Sequence, residues 1–525
     1  MTPCFEKSRF SHRPDIISLL PLAPNVKAAP IAEVLSKIGK PIHNQPFDDI
    51  CPDPRLACWN RSIHVFPAAY PRSVTGSAVR EAVLPTYPHS QDRVTIAHDI
   101  RDRNAKATKR RELGQAIDEP QLFIAAARYF NTSESEKPET IRTGDEEEPI
   151  TFILTHANGF HKETWEPMLA HLILSAGGRK IKEIWALDCV NQGDSAVLNR
   201  KSLGLNCKFI SPVSGVLTGS RIGRGRLIEF RLLCFLGLVD WADYARDLLN
   251  FVLSYLPDQS SSESGPPMVL PHLDCPNPPF LQLDSSPCST QCDAIRWRHR
   301  RLGLIGHSIG GCAAMLAATS IPELFHDVIL IDPAIRPVHD EEIATAIRLA
   351  SSAVTRKDQW ENRIVALKKF QKNSNFYGRW NPQVLRRYIE YGLESDHPVK
   401  LKCNKLHEAS VFTQPHNRVS EAYFRSLDLF YENIIPKKQR FPFGNPHHHH
   451  PPFRFLLILG NSTESIVPET TVENFGFAYR LNCSGHLIVQ ENPIELASSI
   501  SEHLIESNSS SYYDEERPTH TLCKL

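Results

Sequence analysis

Apolar residues recur along this chain in two patterns. From Gln121 the run LFIAAARYF predicts a strand, and after a polar stretch through Gly144 comes a second apolar run, ITFILTH. A glycine turn leads from there into WEPMLAHLILSA, whose apolar positions fall at helical spacing. IKEIWALD, RLGLIGHS and DVILIDPAI are further short, continuous apolar runs of the kind a strand covered on both faces requires. Between the last two lies the small-residue segment GGCAAMLAATS, which predicts a helix. Such alternation implies a parallel sheet with crossover helices. From Arg336 to Pro452 the pattern turns helical and amphipathic, in EEIATAIRLASSAV and NPQVLRRYIEYGL, before FRFLLILG resumes the strands. Residues 336–452 therefore read as a helical cap inserted between two core strands. FGFAYRLN reads as strand-like and LIVQENPIELASSI as a closing helix.

This pattern divides the chain. Residues 1–118, rich in proline and charge and without strand–helix alternation, are expected to form a disordered or loosely packed extension. Residues 119–335 form the first part of the core and 453–505 the second, with a disordered tail at 506–525. Two stretches within the first part read as surface insertions: the Gly/Arg-rich 208–239 and the Ser/Pro/Cys-rich 259–299.

Composition narrows the partners. The 59 Lys plus Arg balance the 59 Asp plus Glu, so no global field draws the chain to nucleic acid or to an anionic membrane, and a small-molecule partner is expected. No apolar run is long enough to span a bilayer, and Glu6, Lys7, Arg9, Arg13 and Asp15 occupy the place where a secretory signal needs an apolar core. The 13 cysteines, an odd number without C-x-x-C spacing, read as free thiols in a reducing compartment, with neither disulfides nor a structural zinc site. The His447 to His450 run, flanked by prolines, reads as a solvated loop without a metal role.

Against this background Gly306-His307-Ser308-Ile309-Gly310 stands out as G-x-S-x-G between a strand and a helix. Glycines on either side permit a sharp, strained turn that lifts a serine clear of the sheet edge, and the helix N-terminus adds positive potential beside it. The segments HANGF, WALDCVNQGDSAV, GHSIGG, ILIDPAI, GRWNPQVLRRYIEYGLESDHPVKLKC, ESIVP and SGHLIVQENP follow one another in an order that resembles one family closely. It is the α/β-hydrolase superfamily, and within it the fungal peroxisomal hydrolases that include host-selective-toxin biosynthesis enzymes and a yeast peroxisomal lipase. The resemblance covers about residues 121–505 and excludes the first 118 or so.

The resemblance implies an α/β-hydrolase fold, a mostly parallel sheet flanked by helices, and a serine hydrolase that needs no cofactor. Ser308 would attack an ester, thioester or lipid acyl bond, and His486, in the Gly-His pair after the last strand, would be its base. The backbone N–H groups of Ile309 and Phe160 would hold the oxyanion, with His156 and Asn158 shaping the loop that carries Phe160. Two carboxylates compete to orient His486. Glu464, in GNSTESIVP, is preferred because its motif match is the longer; Asp332, at the end of ILID, is the alternative. Phe376, Tyr377, Trp380, Tyr388 and Tyr391 of the cap would favour an acyl or polyketide-like group if they face inward. Cys523-Lys524-Leu525 is a variant of the S-K-L address, which implies a peroxisomal import receptor as partner and the peroxisomal matrix as location. Two other classes compete with this reading. One is a non-catalytic small-molecule binder on the same fold; the other is epoxide or C–C bond hydrolysis, of which the epoxide reaction would want an aspartate at 308.

Overall fold

The structure is a computed structural model. It describes residues 45–46, 53–73, 87, 91–112, 120–132, 149–203, 205–206, 235–236, 240–257, 266–273, 300–337, 341–394, 398–413, 417–430, 453–475 and 478–506. A nine-stranded sheet runs through its centre. In chain order its strands are β1 (Gln45–Pro46), β2 (Trp59–Pro67), β3 (Phe123–Asn131), β4 (Ile150–Thr155), β5 (Ile181–Leu187), β6 (Arg301–His307), β7 (Asp327–Ile331), β8 (Arg454–Leu459) and β9 (Tyr479–Arg480). Their spatial order is β1-β2-β3-β5-β4-β6-β7-β8-β9. From β5 to β9 every pairing is parallel, while β1, β2 and β3 pair antiparallel at one edge.

The central strands are apolar along their whole length because helices cover both faces. On one face α4 (Trp241–Ser254), α5 (Ile309–Ser320) and α10 (Asn417–Phe430) bury Leu248, Phe251, Ala313, Ala317 and Tyr423. On the other, α2 (Glu166–Leu174) and α13 (Pro493–Ile505) bury Met168, Leu172, Leu496 and Ile500. The alanines and glycines of α5 let its neighbours approach closely, so the helix that starts at Ser308 is wholly enclosed. The sequence-predicted strands and helices of residues 121–505 are in place, except that FGFAYRLN gives only the two residues of β9 and the closing helix breaks at Asn492, before Pro493, into α12 (Ile488–Glu491) and α13.

Three expectations about domains need correction. Residues 1–118 are not simply a loose extension: β2 pairs with β3 over nine residues, and Arg72 is buried against Asp247 (2.6 Å) and Asp243 (3.4 Å) of α4. Helix α1 (Arg93–Glu112) packs Ala97 and Ile100 against Ile347 and Ala350 of α6 (Glu341–Thr355) and Leu406 and Ala409 of α9 (Lys405–Phe412). Part of the second insertion also belongs to the core, since Val65 N–H donates to Met268 O (2.7 Å) and Leu270 N–H to Val65 O (2.9 Å). Finally, the cap ends earlier than Pro452, because α10 packs on α5 within the core. The cap proper is α6, α7 (Arg363–Gln371), α8 (Pro382–Gly392) and α9. Residues 208–234 and the His447 to His450 run lie outside the described residues.

Candidate active site

Ser308 sits at the tight turn from β6 into α5, with φ 57° and ψ −118°. A non-glycine residue there is strained. What holds it is packing: a Cβ on Gly306 would lie 2.5 Å from Gly310 O, and one on Gly310 would lie 2.2 Å from Thr155 O. The two glycines of the motif thus let the turn close on itself and let α5 lie against the end of β4. Ser308 N–H donates to Ile331 O (3.1 Å), and Ser308 O accepts from the N–H groups of Cys312 (3.1 Å) and Ala334 (2.9 Å).

His486 comes from the loop after β9. Its Nε2 lies 3.1 Å from Ser308 Oγ and its Nδ1 lies 3.0 Å from Asp332 Oδ1. A carboxylate only accepts, so Nδ1 carries the proton and Nε2 is left to accept from the serine. Asp332 follows β7 directly, with φ 37°. Its carboxylate also accepts from Gly460 N–H (3.0 Å) and Ile466 N–H (2.9 Å). Burial presses its pKa upward, but the hydrogen bonds from His486 and from these two amides outweigh it and hold the carboxyl below the usual aspartate value.

The acid beside His486 is therefore Asp332, and the preference for Glu464 is corrected. Glu464 is 44% exposed and is spoken for by Arg379, whose two terminal nitrogens lie 3.2 and 2.7 Å from its carboxylate. A carboxylate in a solvent-facing ion pair does not orient an imidazole that already has a buried partner.

His307, inside the motif, also holds the histidine loop. Its Nε2–H donates to His486 O at 3.0 Å, and burial, with the His486 ring beside it, lowers its pKa to about 3. A neutral His307 thus pins the backbone of the histidine loop from below.

The HANGF loop is locked in shape. His156 is buried and its pKa is lowered by burial to about 3; its Nδ1–H donates to Ala157 O (2.8 Å) and its Nε2 accepts from Cys189 N–H (3.2 Å). Asn158 Nδ2 donates to Glu408 O (3.0 Å), and Gly159 N–H, at φ 85°, donates to Gln192 Oε1 (2.7 Å). Phe160 N–H points at Ala157 O over a long 3.3 Å, so this candidate donor is held by one weak bond. The other candidate, Ile309 N–H, opens α5, where no preceding helical carbonyl exists to receive it. Of the five cap aromatics, Tyr377, Trp380 and Tyr388 pack on one another and Trp380 and Tyr388 on Phe160, whereas Phe376 is exposed and Tyr391 bonds Arg61.

A mainly parallel sheet with a serine at a strained strand-to-helix turn, a histidine after the last strand and an acid between them defines the α/β-hydrolase class. The chain belongs to the alpha/beta hydrolase family, whose family model matches residues 152–498. It is 31% identical over 119 residues to the abhydrolase domain-containing protein AFT2-1 of Alternaria alternata, covering 21% of this chain and 44% of that protein. It is 23% identical over 260 residues to peroxisomal membrane protein LPX1 of Saccharomyces cerevisiae (46% and 48%) and 25% identical over 224 residues to the type I acyl-CoA thioesterase mpaH' of Penicillium brevicompactum (42% and 35%). The chain spans less than half the length of each of these relatives. The solved peroxisomal alpha-beta-hydrolase Lpx1 of Saccharomyces cerevisiae superposes with a TM-score of 0.49 at 17% identity, covering 85% of this chain and 89% of that one.

Proposed function

We propose that this hydrolase cleaves an ester, thioester or lipid acyl bond through an acyl-enzyme on Ser308. The observation that carries the reading is the continuous relay Ser308 Oγ, His486 Nε2, His486 Nδ1, Asp332 Oδ1, at 3.1 and 3.0 Å. His486 Nε2 takes the serine proton as Oγ attacks the carbonyl carbon. The developing imidazolium is stabilised by Asp332, and the carbonyl oxygen becomes an oxyanion held by Ile309 N–H and, once released from Ala157 O, Phe160 N–H. As the C–O or C–S bond breaks, His486 returns the proton to the leaving group; water, activated by the same base, then releases the acid.

The thioesterase name of one relative supports an acyl thioester as substrate class, and the peroxisomal name of another supports a peroxisomal location. Cys523-Lys524-Leu525, outside the described residues, would be the address read by the import receptor. A fluorophosphonate probe tests the chemistry: the wild-type protein should be labelled and Ser308→Ala should not. An unlabelled wild type would favour a binder on the same fold. Screening acyl-CoA thioesters against simple esters of graded chain length then identifies the substrate class.

A further inference from the structure

We propose that the cap segment Tyr377–Asn381 is a latch that holds the His486 loop in its reactive position, with Arg379 as its positioning residue. This rests on the reading of Ser308 and His486 given above and adds a role for Glu464, which that reading leaves idle. The Arg379 guanidinium grips two carboxylates of the core at once: Glu464 in a two-point pair (3.2 and 2.7 Å) and Glu491 of α12 through Nε and Nη2 (3.2 Å each). Glu491 Oε2 in turn accepts Gly485 N–H at 2.7 Å, one residue before the base. Glu464 lies on the same backbone, since a Cβ on Gly485 would fall 2.0 Å from its Oε2. The next residues of the latch reinforce it. Asn381 N–H donates to Gln490 O (2.8 Å), and the Trp380 ring lies 5.4 Å from that of Phe160 in the HANGF loop.

One short piece of the cap therefore touches both the histidine loop and the candidate oxyanion loop. Gly485 has no side chain of its own to anchor the loop, and its N–H is held by Glu491, the carboxylate that Arg379 of the cap braces. An isolated exposed ion pair does little, but here one guanidinium bridges two carboxylates that share the Gly485 backbone. Without Arg379 the two carboxylates repel each other against Gly485, and the loop loosens. A base displaced by a fraction of an ångström loses rate, not substrate affinity.

The test uses the full-length protein as wild type, Arg379→Ala and Arg379→Lys. Hydrogen–deuterium exchange of residues 481–491 and the rate of fluorophosphonate labelling at Ser308 are compared at about 0.05 and 0.5 M NaCl, where screening differs several-fold. Arg379→Ala should speed exchange around Gly485 and His486 and slow labelling and kcat about tenfold, with KM within about twofold. Arg379→Lys should recover part of the loss. High salt, which screens the Arg379 pairs, should move the wild type towards the alanine variant. Exchange that is the same in wild type and Arg379→Ala, or a wild type indifferent to salt, overturns the latch. Equal losses in the alanine and lysine variants would likewise overturn it. A wild type that resists the probe refutes the serine mechanism instead, and the exchange measurement then still decides the latch.

Discussion

Replacing Asp332 by asparagine separates the two candidate acids with one change of charge. The substitution keeps size and shape, and asparagine tolerates the positive φ of 37° at this position. The native carboxylate accepts three hydrogen bonds: from His486 Nδ1 and Ile466 N–H on Oδ1, and from Gly460 N–H on Oδ2. An amide has one oxygen and one NH2. If its oxygen replaces Oδ1, the NH2 meets Gly460 N–H, and a buried donor is left unsatisfied at roughly 1–3 kcal/mol. If it flips, the NH2 faces Nδ1, the imidazole proton moves to Nε2, and that nitrogen no longer accepts from Ser308. Either way the imidazolium loses its counter-charge. Activity should fall by roughly 10⁴, about 5.5 kcal/mol at the transition state, while the protein stays folded. Glu464→Gln, altering a group 44% exposed, should cost no more than the roughly tenfold of a loosened histidine loop. Measuring kcat/KM on an activated ester, with urea unfolding of both variants to establish folding, gives the answer. A folded Asp332→Asn enzyme near wild-type activity, beside a Glu464→Gln enzyme crippled by orders of magnitude, would refute the assignment.

Three other outcomes follow from the geometry. Ser308→Gly should be inactive yet more stable than Ser308→Ala by roughly 1 kcal/mol, because glycine relieves the strain at φ 57°; equal urea midpoints would show that the turn stores none. Arg72→Ala should destabilise the protein by roughly 3–5 kcal/mol, since it takes the cation from the buried carboxylate of Asp247, and removing residues 1–110 should yield insoluble protein; an active, soluble truncation would mean that β2 is dispensable. His156 and His307 are held neutral down to about pH 3, whereas in the unfolded chain each takes a proton near pH 6.5. Their contribution to stability is therefore full above about pH 6.5 and drains away as pH falls towards 3, by roughly 2 kcal/mol per histidine at pH 5, and His307→Gln should flatten the slope between pH 7 and 5 by one such share.

The sequence by itself determined the sheet from β3 to β8, because strands buried on both faces must be apolar throughout and the intervening helices must turn an apolar side to them. It marked the turn at Ser308 too, since a strained turn between strand and helix requires the two glycines that flank it. The N-terminal elements were hidden for a physical reason. β2 buries Arg61, Ser62 and His64, whose polarity is satisfied by Glu166, by one another and by Pro267 O, and α1 turns inward a stripe, Ala97, Ile100, Asn104 and Ala107, with only one large apolar side chain. Neither shows the apolar rhythm by which an element is recognised. Only the tertiary structure shows which carboxylate meets His486. Asp332 and Glu464 both follow core strands and both carry a carboxylate, and the longer motif belongs to the one paired with Arg379 rather than with His486. What separates them is where the chain goes next: the turn after β7 points Asp332 inward beneath His486, while the loop after β8 carries Glu464 outward to Arg379. The partners that distinguish them lie 154 and 85 positions away in sequence, and no local pattern records them.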